Sequence, residues 1–450
     1  MITDYFDQNY ETLLEDYKTF LSFPSISSDP IHAKNVKDCA NWLKNYVESI
    51  GFKTTLWETS SHPVLFAEFP SQEPNRPTLL LYNHYDVQPI DPIEKWETPP
   101  FSPTIKGNDM YARGAQDNKG QCFYVLTALK AFLETEKSFP INVKWIIEGD
   151  EEHGSQGLKE LIPKIGPQLK ADVLAVIDLG QGKKEVPAIT LGIRGITTMQ
   201  VTVTGSNIDL HSGGFGGVAY NPIHALVEIL SSLRDSSGAI TIPGFYDDVV
   251  AVDTSEISLD YDDERMKKTF DLSATGGEKK FSPWERAWIR PTLEINGICG
   301  GYTGDGFKTV IPGSAMAKIS CRLVPNQSPE KIAHLVKEAL EKRCPPGLSL
   351  RVDLYPGGGV AVQASPHSKG VKAFARAFKH VYNVPCEYLY TGGSIPVISE
   401  LAKASGAEIV LTGLALDEDQ IHAPNERFGL DRLKKGFLVI VNAIKQLGEG

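Results

Sequence analysis

Long uninterrupted apolar runs are missing from this 450-residue chain. A membrane-spanning helix needs about 20 apolar residues in succession, so the sequence offers no such span. Positive charge is also in short supply. Lys and Arg number 45 against 56 Asp and Glu, a formal charge of −11, whereas nucleic-acid recognition calls for a basic surface. Cysteine is sparse: Cys39, Cys122, Cys299, Cys321, Cys344 and Cys386 lie far apart, without a Cys-x-x-Cys pair. The expectation is buried, reduced thiols rather than a disulfide framework. The start, Met-Ile-Thr-Asp-Tyr-Phe-Asp, lacks the basic residues and apolar stretch of a secretory signal, which points to the cytoplasm. Gly-x-Ser-x-Gly, His-Glu-x-x-His and Gly-x-Gly-x-x-Gly are absent. Gly301 to Lys308 approaches a phosphate loop, but Phe307 stands where its lysine belongs, and a turn is the better reading.

What is present is the composition of a soluble globular protein, 41% hydrophobic and 22% charged, long enough for two domains. Val36, Cys39, Ala40, Leu43, Val47 and Ile50 recur at helical spacing, with Gly51 as the stop. Val64 to Phe69 and Thr78 to Tyr82 read as strands joined by a turn rich in Pro and Asn. A helix carrying Cys122, Val125, Leu126, Leu129 and Phe132 follows Asp117, and Ile141 to Ile147 and Val173 to Ile177 read as buried strands. Such alternation predicts an α/β fold, a central sheet flanked by helices.

The middle of the chain changes pattern. Strands at Ile196 to Thr204, Thr292 to Ile298, Ser314 to Val324 and Leu348 to Leu354 frame two helices, which open at Asn221-Pro222 and Ser328-Pro329. The order β-α-β-β-α-β is that of a ferredoxin-like α+β unit. The expected division is residues 1–192 with 361–450 as one domain and 193–360 inserted within it, with Gly357-Gly358-Gly359 as a hinge. The polar stretch from Phe245 to Arg290 has no assignable role.

Acidic and histidine residues stand where apolar runs end: His84 and Asp86 in Asn83-His84-Tyr85-Asp86, Asp117, Glu151-Glu152, Asp178 and His422. Open α/β sheets build their sites beyond the ends of their strands. Carboxylates with imidazoles suit zinc, manganese or cobalt, zinc being the default. Two cations close together need a shared anionic ligand, and Asp117 is the candidate bridge. His84 and Asp178 would complete one site, Glu152 and His422 the other. Singly, Asp117, Glu152 and His422 are each explained as a surface or capping residue; as a set, ligation is the favoured reading. Asp86, two residues after His84, faces the same way in an extended segment and could orient its ring, although a turn-forming Asp is common. Adjacent glutamates allow one to ligate while the other moves protons, although an acidic loop is often only solvated.

The blocks Leu81-Tyr82-Asn83-His84-Tyr85-Asp86-Val87-Gln88-Pro89, Tyr111-Ala112-Arg113-Gly114-Ala115-Gln116-Asp117-Asn118-Lys119-Gly120 and Glu148-Gly149-Asp150-Glu151-Glu152-His153-Gly154-Ser155 resemble the co-catalytic di-zinc metallopeptidases. This family includes carnosinases, cytosolic nonspecific dipeptidases, glutamate carboxypeptidases, succinyl-diaminopimelate desuccinylases and acetylornithine deacetylases. The resemblance implies that His84, Asp117, Glu152, Asp178 and His422 are the metal ligands, Asp86 the orienting residue and Glu151 the general base. It implies a cis Asp117–Asn118 peptide, and a lid and dimerisation role for the inserted domain. His211, in Asp209-Leu210-His211-Ser212-Gly213, would reach the partner subunit's site in a homodimer and support the oxyanion there; its spacing alone fits a turn histidine as well. Arg322 would bind a substrate α-carboxylate with Gly393 and Ser394 of the turn Gly392-Gly393-Ser394, and Thr309 and His367 would line the substrate. Asp178, where related deacylases tend to carry Glu, together with Leu191-Gly192-Ile193-Arg194-Gly195 and Lys308-Thr309-Val310-Ile311-Pro312, resembles the carnosinase-like branch. The expected activity is hydrolysis of dipeptides or short peptides by a metal-bridging hydroxide, with deacylation of N-acyl amino acids as the alternative.

Overall fold

A computed structural model of the chain describes residues 1–255, 257, 264, 267, 268 and 271–449. Its contacts form two compact units, Met1–Gly192 with Gln363–Leu389 and Val397–Gly450, and Ile193–Val362 with Tyr390–Pro396. The short return of Tyr390–Pro396 to the second unit was not apparent in the sequence. It carries Gly392, Gly393 and Ser394 away from their sequence neighbours.

In the first unit a mixed sheet runs in the order Lys53–Trp57, Val64–Phe69, Asn142–Glu148, Thr78–His84, Val173–Ile177, Glu408–Thr412 and Ala188–Ile193. Val64–Phe69 and Thr78–His84 are consecutive in the chain but not paired, because Asn142–Glu148 lies between them. The four strands from Asn142–Glu148 to Glu408–Thr412 are parallel neighbours. Val173–Ile177 is buried at every residue and Thr78–His84 at all but the first, the signature of strands covered on both faces. Parallel pairing in this register brings their carboxyl ends to one edge: His84 stands opposite Glu148, and Thr412 opposite Ile177. The site grows from that edge.

Helix Ala33–Ser49 buries Val36, Cys39, Ala40, Leu43 and Val47, and Gly51 follows it at φ +108°, a conformation that favours glycine. Helix Lys119–Thr135 is buried almost all round. Its first side chain, the fully buried Lys119, donates to the carbonyls of Phe20 (3.1 Å) and Phe23 (2.7 Å) and lies over the Phe20 ring. The loop ahead of it is thereby tied to the N-terminal helix Tyr10–Leu21 and the residues just after it.

The second unit holds an antiparallel sheet in the order Thr292–Gly300, Ser314–Leu323, Gly195–Thr204 and Ser349–Gly359. With helices Pro222–Ser232 and Pro329–Arg343, this is the ferredoxin-like arrangement expected. Strict alternation along Gly195–Thr204 buries one face, and Val201, Leu226, Ile229, Ala317, Ile332 and Val336 meet there in the core. Asn221 and Ser328 cap the helices by accepting from Ile223 N (2.9 Å) and Lys331 N (3.2 Å).

Gly357-Gly358-Gly359 is not a hinge. These residues end a strand, with Gly359 paired to Ile196. A Cβ on Gly358 would come within 2.9 Å of the Ile196 carbonyl, and one on Gly359 within 2.8 Å of Pro396. Close backbone approach, not flexibility, explains these two glycines. In the stretch from 245 to 290, helix Pro283–Trp288 starts at a Ser282–Glu285 capping box, and Glu278 pairs with Arg290 at 2.8 Å. Part of that stretch lies outside the described residues. All six cysteines are free, but Cys299 is exposed on strand Thr292–Gly300, against the expectation of burial. Among the described residues no helix is long and apolar enough to cross a membrane.

Candidate two-metal centre

Each strand end at the carboxyl edge delivers one part of the site. His84 is the last residue of its strand and is fully buried. Glu151 and Glu152 open a single helical turn that starts three residues after Glu148, and Asp178 directly follows Ile177. Asp117 lies in the loop before helix Lys119–Thr135, and its bond to Asn118 is cis. His422 arrives from a loop after Glu408–Thr412 and adopts φ +58°.

These side chains converge in two groups, His84 with Asp117 and Asp178, and Asp117 with Glu152 and His422; within each group the potential ligand atoms lie within 4.8 Å of one another. Asp117 belongs to both. Its Oδ1 is 3.1 Å from His84 Nε2 and its Oδ2 is 3.0 Å from His422 Nε2. His84 Nε2 is 3.5 Å from Asp178 Oδ1, and His422 Nε2 is 3.2 Å from Glu152 Oε2. Among the described residues Glu152 Oε1 is buried without a hydrogen-bond partner, an uncommon state for a carboxylate oxygen. Two imidazoles, three carboxylates and an orphaned anionic oxygen fit a pair of divalent cations of the zinc, manganese or cobalt type.

The electrostatics agree with that fit. Burial disfavours a charged His84, yet Asp178, Asp117 and Asp86 outweigh it and hold the imidazole well above its usual range. Hydrogen bonds to Asp117 and Glu152 push His422 up to about 10. Asp117 is held below the carboxylate range by both histidines, against its burial, whereas burial and the Asp117 charge push Glu152 up to about 7. Burial, then the charges of Asp178, Glu152 and Asp117, raises Glu151 despite the opposing effect of His84.

With no cation bound, these shifts would keep protons on both histidines at neutral pH. Those protons compete with metal, so affinity should fall as pH falls and rise as pH climbs toward about 10, where His422 loses its proton. Calorimetric titration with zinc in two buffers of different ionisation enthalpy should report net proton release. Identical heats in both buffers would contradict it.

Asp86 does more than orient an imidazole. Its Oδ1 is 3.3 Å from His84 Nδ1, but its own backbone carbonyl is nearer, at 3.1 Å. Its carboxylate also accepts from the N–H groups of Glu151 (3.2 Å) and Glu152 (3.0 Å). One buried aspartate thus sets both the ring and the acidic turn. Sequence reasoning passed over three other supports. Gln88 Nε2 donates to Glu152 Oε2 at 2.8 Å, and Asn118 Nδ2 donates to Asp178 Oδ1 at 2.5 Å. Glu426 accepts from the backbone of the Asp117 loop. Each lies within five residues of a predicted ligand, and that nearness was the only signal.

The remaining predicted residues are not part of these groups. Arg322 alternates out of strand Ser314–Leu323 in the second unit, and its Nη1 donates to Ser394 Oγ at 2.8 Å. That hydroxyl in turn donates to the Arg194 carbonyl at 2.5 Å, so its one proton is already committed. Ser394 here orients Arg322 rather than offering a free donor. Arg194 N donates to the Gly393 carbonyl at 3.0 Å and Arg194 Nε to that of Gly392 at 3.3 Å. Burial and the charge of Arg322 lower Arg194 to about 10. Among the described residues these two guanidinium groups donate to neutral oxygens, of Gly392, Thr292 and Ser394, an arrangement that leaves their charge for an anion.

His211 is exposed at the end of a short strand paired to Val310–Ile311, and its Nδ1 accepts from Gly213 N at 2.9 Å. Nε2 is the nitrogen left for other work. The Thr309 carbonyl accepts from Ser212 N, next to His211, at 3.0 Å. His367 is exposed just ahead of helix Lys369–Tyr382 in the first unit.

Residues 80–446 match the family described as Peptidase family M20/M25/M40. The chain belongs to that family. It is 32% identical over 450 aligned residues to the Cys-Gly metallodipeptidase dug1 of Schizosaccharomyces pombe, covering 95% of this chain and 94% of the relative. It is 34% identical over 378 residues to the human Beta-Ala-His dipeptidase, covering 81% and 73%. Among solved structures, the M20 family metallo-carboxypeptidase Sso-CP2 from Sulfolobus solfataricus superposes with a TM-score of 0.86 at 35% identity, covering 97% of this chain and 99% of that one. Membership makes this chain a metallopeptidase.

Proposed function

We propose that this peptidase is an exopeptidase that hydrolyses dipeptides and similarly short peptides at a pair of divalent cations, zinc by default. The observation that carries the reading is Asp117, whose two oxygens face two separate ligand groups. The dipeptidase relatives supply the substrate class.

Bound cations would polarise the scissile carbonyl and acidify water. Glu151, in neither ligand group, would accept the proton of the attacking water and pass it to the departing amine. Asp86 holds that glutamate in place through its backbone. Arg322, steadied by Ser394, would take the substrate α-carboxylate, with the Arg194 charge adding to the attraction. In a homodimer, His211 of the partner subunit would donate Nε2 to the developing oxyanion. Full activity from a species that sediments as a monomer at assay concentration would remove that role. Unpaired cysteines throughout fit a reducing cytoplasm.

The 35% identity to a metallo-carboxypeptidase favours one further reading, removal of a C-terminal residue from longer peptides. A single panel separates these outcomes. Chelator-stripped protein is given zinc, manganese or cobalt and assayed on dipeptides, dipeptide amides, tetrapeptides and N-acyl amino acids. The expected order places free-acid dipeptides first and amides far behind. Arg322→Ala should raise KM for the free acids about tenfold or more, the loss of a charge-assisted pair. Preference for tetrapeptides would move the assignment to a carboxypeptidase, and preference for N-acyl amino acids would sink the peptidase reading.

A further inference from the structure

Glu426 is fully buried and stands four residues after His422. Its Oε1 accepts from the backbone N–H groups of Gln116 (2.9 Å) and Asp117 (3.0 Å). Its Oε2 accepts from Gly114 N (2.8 Å) and from Nη1 of the buried Arg113 (2.8 Å). Its backbone carbonyl accepts from Ala112 N at 3.2 Å, and the next residues, Arg427–Gly429, pair with Asp109–Tyr111. The loop presenting Asp117 is therefore wrapped around one carboxylate, and that carboxylate belongs to the segment that also presents His422.

We propose that Glu426 is a positioning residue for the two-cation centre, holding Asp117 in register with His422 so that one carboxylate can serve both ions. The proposal rests on the two-metal reading above. Loops of this length do not by themselves hold a side chain to the few tenths of an ångström that metal ligation requires, and outer partners supply that constraint. The chemistry at Glu426 is specific to an anion. All its side-chain partners are donors, so a glutamine would turn its NH2 toward N–H groups and could satisfy only one side of the cradle. An aspartate keeps the charge but is shorter by one methylene.

The test measures zinc affinity directly, by competition with a chromophoric chelator, at a temperature where circular dichroism reports parent and variants folded. Glu426→Gln should weaken both binding steps, each by about 10- to 100-fold, because the shared ligand is displaced. Arg113→Lys is the control for a merely structural role: it disturbs the buried pair but leaves the three backbone bonds. Its melting temperature should drop while zinc affinity stays within about threefold. Glu426→Asp replaces Glu426→Gln if the latter does not fold, with the same loss expected.

Unchanged affinity in a folded Glu426 variant overturns the proposal. So does an equal loss in Arg113→Lys, or failure of both Glu426 variants to fold without metal, since either makes the residue a fold element only. If the parent itself binds no zinc, the two-metal reading falls and this proposal with it; a parent that binds two ions beside an unaffected variant removes the proposal alone.

Discussion

Asp117→Ala is expected to empty both cation positions rather than one. The other four candidate ligands each belong to a single group, whereas Asp117 turns Oδ1 to the side of His84 and Oδ2 to the side of His422. Without it, two positive ions would face each other with no anion between them, and each would have two protein ligands in place of three. Sites reduced in this way lose affinity through missing bonds and through unscreened repulsion. Metal analysis of dialysed protein should fall from about two ions per chain to well under one, with turnover at background. His422→Ala supplies the contrast: it touches one group only, and about one ion should remain. An Asp117→Ala protein that still holds one ion tightly would show that the carboxylate is not shared.

The second large effect is expected at Glu151. It lies outside both ligand groups, so Glu151→Gln should keep both ions. What it loses is a carboxylate able to accept and return a proton, which general acid–base catalysis values at about 10²- to 10⁴-fold in rate. A thousandfold fall in kcat corresponds to about 4 kcal/mol of barrier, and KM should change little because the residue has no assigned role in holding substrate. Burial and neighbouring carboxylates raise its pKa, which suits a group that must give its proton to a leaving amine; adjacent cations would oppose that rise. Metal-replete Glu151→Gln turning over at the parent rate would remove the assigned base.

Much of this centre was legible before any coordinates. His84, Glu151, Glu152 and Asp178 each stand at or beyond the end of an apolar run that reads as a strand, and parallel strands present their ends together. Asp117 and His422 were recognisable by residue type, but their arrival at the same point depends on loops whose shape the local sequence does not encode. Glu426 shows why. Nothing in His422-Ala423-Pro424-Asn425-Glu426 distinguishes a buried acceptor of backbone N–H groups from a solvated glutamate. Ser394 and Asp86 show the reverse: they were singled out in the sequence, but Ser394 orients Arg322 instead of offering a free donor, and Asp86 also holds the Glu151–Glu152 turn. The Gly357-Gly358-Gly359 reading failed because three glycines satisfy flexibility and tight backbone packing equally well, and only neighbours such as Ile196 and Pro396 tell them apart.

Periodicity, strand-end chemistry and the choice of carboxylate and imidazole side chains were enough, from sequence, for the α/β class, the ferredoxin-like unit and a candidate divalent-cation site, while the peptidase reading came from the resemblance of three sequence blocks to a family. These depend on patterns a few residues long, set by backbone geometry and hydrophobic burial. The tertiary structure alone decided that Asp117 faces both groups, that Tyr390–Pro396 joins the second unit, and which buried polar groups brace the centre. Those features include contacts between residues more than three hundred positions apart, and a hydrogen bond or a shared ligand exists only once the chain between its ends has been folded.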